Sequence, residues 1–395
     1  MVSSVELQRI TWPQLVVLLL GRWLINTTFR VVYPLLPFLA AMFVVDLQTV
    51  SLLVTLQVAA TLASPLGGIV SDRWGERSAM VWGMSSYCLG TLICFLSGSF
   101  WPFLCGYILV GVATALYHPS AQAYASARSS YEQRGRVLGI LELSWALAAL
   151  IGVSALTQIF TWSDSYRLVF GLLFGLGLVI TAVTFFGLDG GSKQGRQQAR
   201  DQRGRFQLSW LLTAPIVGAI SMAMLMILAT EFIFITYASW LEQDFGATVN
   251  QIGSVAVLMG IAELVGSGVS ALFVDRIGKR RSVLMGLVLC CVSQFALPFS
   301  AGNWPLFLLL FLLFDLSFEF GIVSYFPLIS AQLPQARATV MAISAASLGL
   351  ARVIGSLLSP VLWNLGGFTL NALFAAACAF ISIVVCLSLV REGKE

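Results

Sequence analysis

The chain alternates between long apolar stretches and short polar breaks. Stretches of about 20 residues, the length that a helix needs to cross a hydrocarbon core about 30 Å thick, recur from one end to the other. They lack the two-residue alternation of a membrane barrel, so they predict an all-α membrane protein. The predicted twelve transmembrane helices cover residues 13–43, 49–71, 79–98, 102–126, 136–160, 166–188, 210–239, 250–273, 282–300, 305–330, 338–362 and 369–390.

Composition supports a membrane protein. Hydrophobic residues make up 58% of the 395 residues and charged residues only 10%, whereas about a quarter of a soluble protein is charged. Arg22 and Arg30 interrupt the first span. We therefore expect this span to remain in the protein as a membrane helix and not to be removed as a signal peptide.

The basic residues predict the orientation of the chain. Of its 22 Lys and Arg residues, 18 fall on one side of the predicted membrane. The positive-inside rule then places both termini and the central loop in the cytoplasm. Tryptophans mark the opposite, outer ends of spans, where an interfacial aromatic belt is expected; these are Trp101, Trp162, Trp240, Trp304 and Trp363.

One polar loop occurs twice. The segment that contains Asp72, Arg73 and Arg77 recurs 203 positions later as Asp275, Arg276 and Arg280. The repeat predicts an N-terminal six-helix bundle at 1–188, a basic linker at 189–207 and a C-terminal six-helix bundle at 208–395. Repeated halves in a hydrophobic chain are typical of alternating-access transporters.

The first loop, with its Gly68-x-x-x-Asp72-Arg73-x-Gly75-x-Arg77 pattern, resembles the loop signature of the major facilitator superfamily (MFS). Its degenerate copy follows the eighth span, where that family has one. The resemblance extends over the whole chain and is to bacterial efflux-type permeases. It implies twelve helices in two six-helix bundles, with inverted repeats within each half, in a monomer of the plasma membrane that transports a small-molecule substrate.

The repeated loops are candidates for gating. Glycine allows close helix approach, aspartate can face the positive end of a neighbouring helix, and arginine can bridge to carboxylates or carbonyls. In the family that the chain resembles, such loops stabilise the outward-open state. The alternative is that they only anchor the topology. The predicted gating residues are Gly68, Asp72, Arg73, Gly75, Arg77, Asp275, Arg276, Gly278 and Arg280.

Ionisable residues inside the spans are the candidates for substrate chemistry, because a charge near the bilayer centre costs about 2.5–3.5 kcal/mol. The family arrangement brings helices 1, 4, 7 and 10 to a central cavity, which implies a substrate and proton-coupling site of Arg30, His118, Glu231, Asp315 and Glu319. The remaining residues form buried charge pairs or take part in coupling; these are Arg22, Glu142, Glu263 and Arg352, with Arg22 and Glu142 as the preferred pair. The alternative for each residue is an ion pair that only locks helices together.

Protons are the predicted coupling ion. The spans contain three arginines and five carboxylates, so an excess of negative charge has to be balanced. Asp315 and Glu319 lie one helical turn apart, and two adjacent carboxylates in a low dielectric disfavour double ionisation. One of the two is therefore expected to carry a proton at neutral pH.

Other functions lack a sequence signal. The chain has a single histidine and no CxxC, so no metal site is predicted, and no phosphate-binding loop for ATP is present. No nucleophile, base and orienting group occur together, so an enzyme is not predicted, and topology explains the +4 charge without nucleic acid. We predict proton-coupled efflux of a small organic solute, with no other cofactor. The alternatives are an importer or facilitator of a sugar, organic acid or amino-acid-like solute, and a non-transporting membrane sensor or binding protein.

Overall fold

The computed structural model describes residues 10–129, 131–190, 213–332 and 337–390. These residues form helices joined by short turns, and no strand occurs among them. Ten of the helices in these ranges are long and apolar enough to cross a membrane. The predicted linker at 189–207 lies outside the described residues except for Asp189 and Gly190.

The first half of the sequence folds into helices that follow the predicted spans closely. Part of the fifth predicted span is a π-helix, Ala148–Val153, which joins two α-helices. The α-helices are α1 (Trp12–Phe43), α2 (Leu47–Thr61), α3 (Ser64–Trp74), α4 (Glu76–Leu96), α5 (Phe100–Ala127), α6 (Tyr131–Leu147), α7 (Ser154–Ser163) and α8 (Tyr166–Gly187).

The described part of the second half begins at residue 213. Its helices are α9 (Ala214–Phe245), α10 (Val249–Ile277), α11 (Lys279–Ala296), α12 (Trp304–Gln332) and α13 (Arg337–Ser388). A short 3₁₀ turn, Leu297–Ser300, extends α11.

Two local features reconcile the twelve predicted spans with ten long helices. The second predicted span is broken between Thr61 and Ser64, and the shorter helices α2 and α3 take its place. A proline in the first turn of α3 is well placed, because its missing N–H would have no partner there. The 52-residue α13 consists of two helical stretches that correspond to two predicted spans and meet at a kink, where Gly366 and Gly367 leave the helical conformation.

The chain forms two compact units that do not divide it simply into halves. One unit contains the described residues of Met1–Val31 and Ala60–Gly204, and the other contains those of Val32–Ala59 and Arg205–Glu395. The first helix therefore contributes residues to both units. The domain boundaries predicted from the repeat stay a prediction.

The surface of the helices is apolar in the way that lipid requires. Along α8, Val169, Leu173 and Ile180 are buried. Leu178 and Val179, which lie on the other side of the helix, are exposed, although both are hydrophobic. A helix that is apolar all round is typical of a membrane span, where lipid replaces water. Exposed hydrophobic residues also occur on other long helices, for example Leu272 on α10, Val292 on α11 and Leu309 on α12. Together with ten helices of membrane-spanning length in the described ranges, they confirm the predicted class of all-α membrane protein.

Candidate functional site

In the first unit, α1 presents a polar row to α6. The row consists of Arg22, Asn26 and Arg30, which are spaced by four and therefore track one face of the helix. The Arg22 guanidinium forms the predicted ion pair with Glu142, with Nη2 donating to Oε2 at 3.0 Å and Nη1 lying 2.9 Å from Oε1. The one hydrogen bond, from Nη2, and the close charge contact of Nη1 together orient both side chains.

The exposure of this pair shows that the prediction of Glu142 as a buried charge was wrong. Arg22 is buried, with 5% of its side chain exposed, but 58% of the Glu142 side chain is exposed. Gln122 on α5 also donates to Glu142, from Nε2 to Oε1 at 3.2 Å. Glu142 is therefore not a buried charge, because its carboxylate lies at the edge of the unit, where it can keep contact with its surroundings.

The remaining members of the row contact α6 one and two turns further along α1. The Asn26 amide donates to the Ser144 hydroxyl at 3.0 Å. The Arg30 guanidinium lies over the ring of Trp145, 4.6 Å from its centre, an arrangement in which the ring face attracts the cation. Arg30 was predicted to meet substrate; one of its partners in the structure is an aromatic ring, and its role in binding stays a prediction.

A π-helix follows these contacts. In a π-helix the hydrogen bonds shift by one residue, which changes the partners of the carbonyls at its ends. The indole Nε1 of Trp23 donates to the Leu147 carbonyl at 3.1 Å, at the point where α6 passes into the π-helix. Sequence reasoning missed this contact, although the tryptophan next to Arg22 was a visible signal.

His118 lies on α5 and is half-buried. Its Nε2 atom is buried and has no hydrogen-bond partner among the residues that the structure describes. The preceding Tyr117 is fully buried and donates its hydroxyl to the Val17 carbonyl at 3.3 Å. The place of His118 in the substrate cavity stays a prediction.

The second unit contains a buried charge cluster. Glu231 on α9 has no exposed surface, and its Oε1 accepts a hydrogen bond from the Tyr33 hydroxyl at 2.8 Å. Its Oε2 lies 3.3 Å from Nη1 of Arg352 on α13, which donates to it. The cluster therefore joins three helices. Glu231 was predicted in the substrate and proton-coupling site, and Arg352 among the buried charge pairs. Helical spacing predicts which face of a helix a residue lies on, but it does not predict which helix packs against that face.

Polar contacts continue from this cluster along α13. The hydroxyls of Thr55 and Ser356 are hydrogen-bonded at 2.8 Å, four residues after Arg352. One turn later, Ser359 donates to the Phe232 carbonyl at 3.1 Å. The polar face of α13 thus tracks α9 and α2 within the second unit.

The predicted carboxylate pair on α12 has different surroundings. Asp315 has no exposed surface, and Glu319 is half-buried. Ser267 on α10 donates to Glu319 Oε1 at 2.7 Å. Their proton-carrying role stays a prediction. Glu263, also on α10, is buried with 4% of its surface exposed, and its role stays a prediction as well.

The repeated loops adopt the same backbone conformation. Gly75 lies between α3 and α4 at φ 96°, ψ 152°, and Gly278 lies between α10 and α11 at φ 97°, ψ 138°. Their N–H groups donate to Ser71 at 2.8 Å and to Val274 at 3.0 Å, again residues 203 positions apart. The internal repeat therefore extends from sequence to backbone geometry.

The arginines that follow these glycines have partners in the last helix of their half. Arg77 lies over the ring of Phe185 on α8, 4.6 Å from its centre. Arg280 donates to the Cys386 carbonyl, at 3.2 Å from Nη2, and to the Leu387 carbonyl at 2.8 Å. Arg73 and Arg276 are exposed. The side chains of Asp72 and Asp275 lie outside the described part, so their gating role stays a prediction.

Two buried amide side chains were not predicted from the sequence. Gln57 on α2 and Gln294 on α11 have no exposed surface. Neither amide group has a hydrogen-bond partner in the described part of the chain. A glutamine within an apolar stretch was the signal that could have identified them. The described residues include no group of three His, Cys, Asp or Glu placed to hold a metal ion.

Helices of membrane-spanning length, a duplicated backbone motif and charge clusters inside each unit are typical of multi-pass membrane transporters. The chain matches the family model of the Major Facilitator Superfamily over residues 18–230 and 219–395 and belongs to that superfamily. It is a membrane transporter, as predicted.

The chain is similar to several bacterial and animal proteins. It is 24% identical to the uncharacterized MFS-type transporter YceJ of Bacillus subtilis, over 93% of this chain and 92% of that protein. It is also 24% identical to the facilitated glucose transporter member 12 of solute carrier family 2 from Macaca fascicularis, over 59% of this chain and 43% of that protein.

A solved D-xylose-proton symporter has the same fold, with a TM-score of 0.80, 17% identity and coverage of 97% of this chain and 98% of the symporter. The predicted fold class is therefore confirmed.

Proposed function

We propose that the protein is a proton-coupled secondary transporter of a small organic solute, and that Glu231 is the carboxyl that exchanges the proton. The observation that carries the proposal is the buried cluster of Tyr33, Glu231 and Arg352. Glu231 has no exposed surface, so its charge has to be balanced inside the protein.

The cluster has two electrically distinct arrangements. When Glu231 is ionised, Arg352 balances its charge and the Tyr33 hydroxyl donates to it. When a proton binds, the carboxyl becomes neutral and the attraction to Arg352 is lost. The three residues lie on α1, α9 and α13, so a change in the charge alters contacts between helices. This is the local electrostatic event that a conformational switch requires.

Glu231→Gln tests the coupling, because glutamine keeps the shape and cannot ionise. In proteoliposomes we expect the variant to retain counterflow of the solute and to lose accumulation driven by a proton gradient. The solute is first identified by a thermal-shift screen of the purified protein against metabolites and drugs. Glu319→Gln is the matched control, since it neutralises the half-buried carboxyl on α12 that accepts from Ser267. Gradient-driven accumulation by Glu231→Gln at the wild-type level would reject the assignment, and its loss in Glu319→Gln alone would transfer the role to the α12 pair.

The direction of transport was predicted to be efflux. The named relatives give specific support to the alternative, because glucose transporters and a D-xylose-proton symporter are among the similar proteins. Sugar uptake is therefore our second candidate function. Uptake of radiolabelled D-xylose and D-glucose into right-side-out vesicles with an inward proton gradient tests it. Saturable uptake that Glu231→Gln abolishes would favour import, whereas reduced accumulation of a dye in cells would favour efflux.

We further propose that the protein acts as a monomer in the plasma membrane with both termini in the cytoplasm. The distribution of the basic residues supports this orientation. Reporter fusions at each terminus test it, since only a cytoplasmic terminus supports fluorescence of a reporter that cannot fold outside the cell.

A further inference from the structure

We propose that the second unit carries a binding site for an organic ammonium group near the C-terminal ends of α1 and α9 and the kink of α13, remote from the buried Glu231 cluster along α9. The site is a cavity of about 140 Å³. This cavity is open to the surface, and its volume is close to that of a closed cavity of about 150 Å³ that holds benzene, so it has space for a compact organic cation. Its polar and aromatic lining consists of Ser239, Glu242, Gln243 and Trp363.

Glu242 supplies the negative charge. It is half-buried on α9 and lines the cavity. Among the residues that the structure describes, none forms a hydrogen bond or ion pair with its carboxylate. By contrast, the neighbouring Asp244 accepts a hydrogen bond from Trp240 Nε1 at 2.7 Å. A partly desolvated carboxylate at the wall of a cavity favours a cation as its partner.

The indole of Trp363 is the second group expected to bind the cation, after the Glu242 carboxylate. Its indole is half-buried in the cavity wall and packs against no other aromatic ring in the described ranges. Tryptophan is the side chain whose ring face attracts cations most strongly, and aromatic walls of this kind recognise quaternary ammonium groups. Pro37 and Leu47 add an apolar lining that suits methyl groups. A carboxylate, an indole and apolar walls together favour an organic ammonium group over a simple metal ion, which prefers several oxygen ligands.

The test compares choline with 3,3-dimethylbutan-1-ol, which has the same shape and no charge. Both are titrated into the purified full-length protein and followed by isothermal calorimetry. We expect choline to bind about tenfold more tightly than the alcohol. Equal binding of the two compounds, or binding of neither, would overturn the proposal without any variant.

Three substitutions locate the binding. Glu242→Gln and Trp363→Leu should each weaken choline binding about tenfold, and Trp363→Phe should retain part of it because phenylalanine still presents a ring face. Asp164→Asn is the matched control, since it removes a carboxylate in the other unit. Asp164 ends α7 with its backbone in the left-handed conformation, which asparagine tolerates well. Choline binding that is unchanged in Glu242→Gln, or lost to the same extent in Asp164→Asn, would place the cation elsewhere and contradict the proposal.

A neutral polyol is the competing ligand. Binding of D-glucose that depends on Trp363 and not on Glu242, without binding of choline, would overturn the assignment to a cation. The inference is independent of the proposed proton coupling, because binding is measured without a gradient. Glu231→Gln should bind choline as the wild type does, whether or not it transports a solute.

Discussion

Arg352 balances the charge of Glu231, a single residue that is fully buried beside it. Arg352→Met should destabilise the protein by about 3–5 kcal/mol, since it leaves a buried carboxylate without its counter-ion. Adding Glu231→Gln should restore most of the loss, because it removes the unbalanced charge. The midpoint of thermal unfolding, measured at one heating rate for both variants, checks this.

Tyr33→Phe is the control for that experiment. It removes one hydrogen bond to a charged group and should cost about 1.5–3 kcal/mol. A double variant of Arg352 and Glu231 that is no more stable than Arg352→Met alone would show that lost packing, and not the buried charge, explains the effect.

Asp46 stabilises the start of α2. Its Oδ1 accepts from the Thr49 backbone N–H at 2.9 Å, and hydrogen bonds from the Thr49 side chain and backbone lower the pKa of Asp46 below its usual 3.8. A lowered pKa means that the stabilisation is complete above the unfolded pKa and is lost as the pH falls through the folded pKa. Asp46→Ala should therefore cost about 1 kcal/mol at pH 7.

The pH dependence distinguishes the ionised cap from a neutral one. The difference in thermal midpoint between wild type and Asp46→Ala should shrink below about pH 4. Asp46→Asn should keep the cap at both pH values, because its side-chain oxygen also accepts the bond. A difference for Asp46→Ala that stays constant from pH 7 to pH 3 would contradict the assignment.

Sequence separation does not decide which residue contacts could be predicted, because it is 120 residues for Arg22 and Glu142 and 121 for Glu231 and Arg352. The Arg22–Glu142 pair could be predicted because family architecture and opposite charge left few alternatives. The Glu231–Arg352 pair was not predicted, since its partners were assigned to different roles and only helix packing brings them together. The exposure of Glu142 likewise depends on tertiary structure, which local spacing does not contain.

At the level of helices, hydrophobic pattern predicted where spans lie but not how they bend. A hydropathy window averages over the break between α2 and α3, and the side chains of the fifth span show no sign of a shifted hydrogen-bond register. Backbone geometry depends on neighbouring helices. A helix deforms where packing, or a side-chain donor such as Trp23, compensates for the backbone hydrogen bonds that the deformation changes.

The π-helix itself packs closely against α1. A Cβ added to Gly152 would lie 2.1 Å from Thr27 Oγ1, so Gly152→Ala should cost about 1–3 kcal/mol through overpacking. Gly175 on α8 is the matched control, because no heavy atom lies within 4 Å of a Cβ added there. Gly175→Ala should stabilise the helix by up to about 1 kcal/mol. Thermal midpoints that move in the same direction for both variants would contradict the close-packing argument.

For the whole molecule, the repeat separates what the two halves share from what they do not. The shared loops have matching dihedral angles at Gly75 and Gly278 and matching hydrogen bonds to Ser71 and Val274. The charge clusters have no such counterpart, because Glu231 and Arg352 correspond to Thr28 and Ala149 under the 203-residue offset. We therefore propose that the loops serve the conformational cycle that both halves undergo, and that the unrepeated charges serve the cargo and the proton.

The loop glycines test this division. Positive φ with extended ψ is a region that only glycine occupies readily, so Gly75→Ala and Gly278→Ala should each cost about 1–3 kcal/mol in local strain. Because that strain distorts the turn between two helices, we expect both variants to slow transport while the affinity for solute stays near that of the wild type. Initial rates in proteoliposomes and binding by calorimetry measure the two effects separately.

Gly246 provides the comparison that makes the test specific. It also has a positive φ, of 62°, but it ends α9 outside the repeated loops. Gly246→Ala should cost about 1–2 kcal/mol and leave the transport rate unchanged, because strain alone does not slow the cycle. Equal slowing in all three variants would mean that the rate follows stability. Wild-type rates in both Gly75→Ala and Gly278→Ala would remove the loops from the cycle and leave them as anchors of topology.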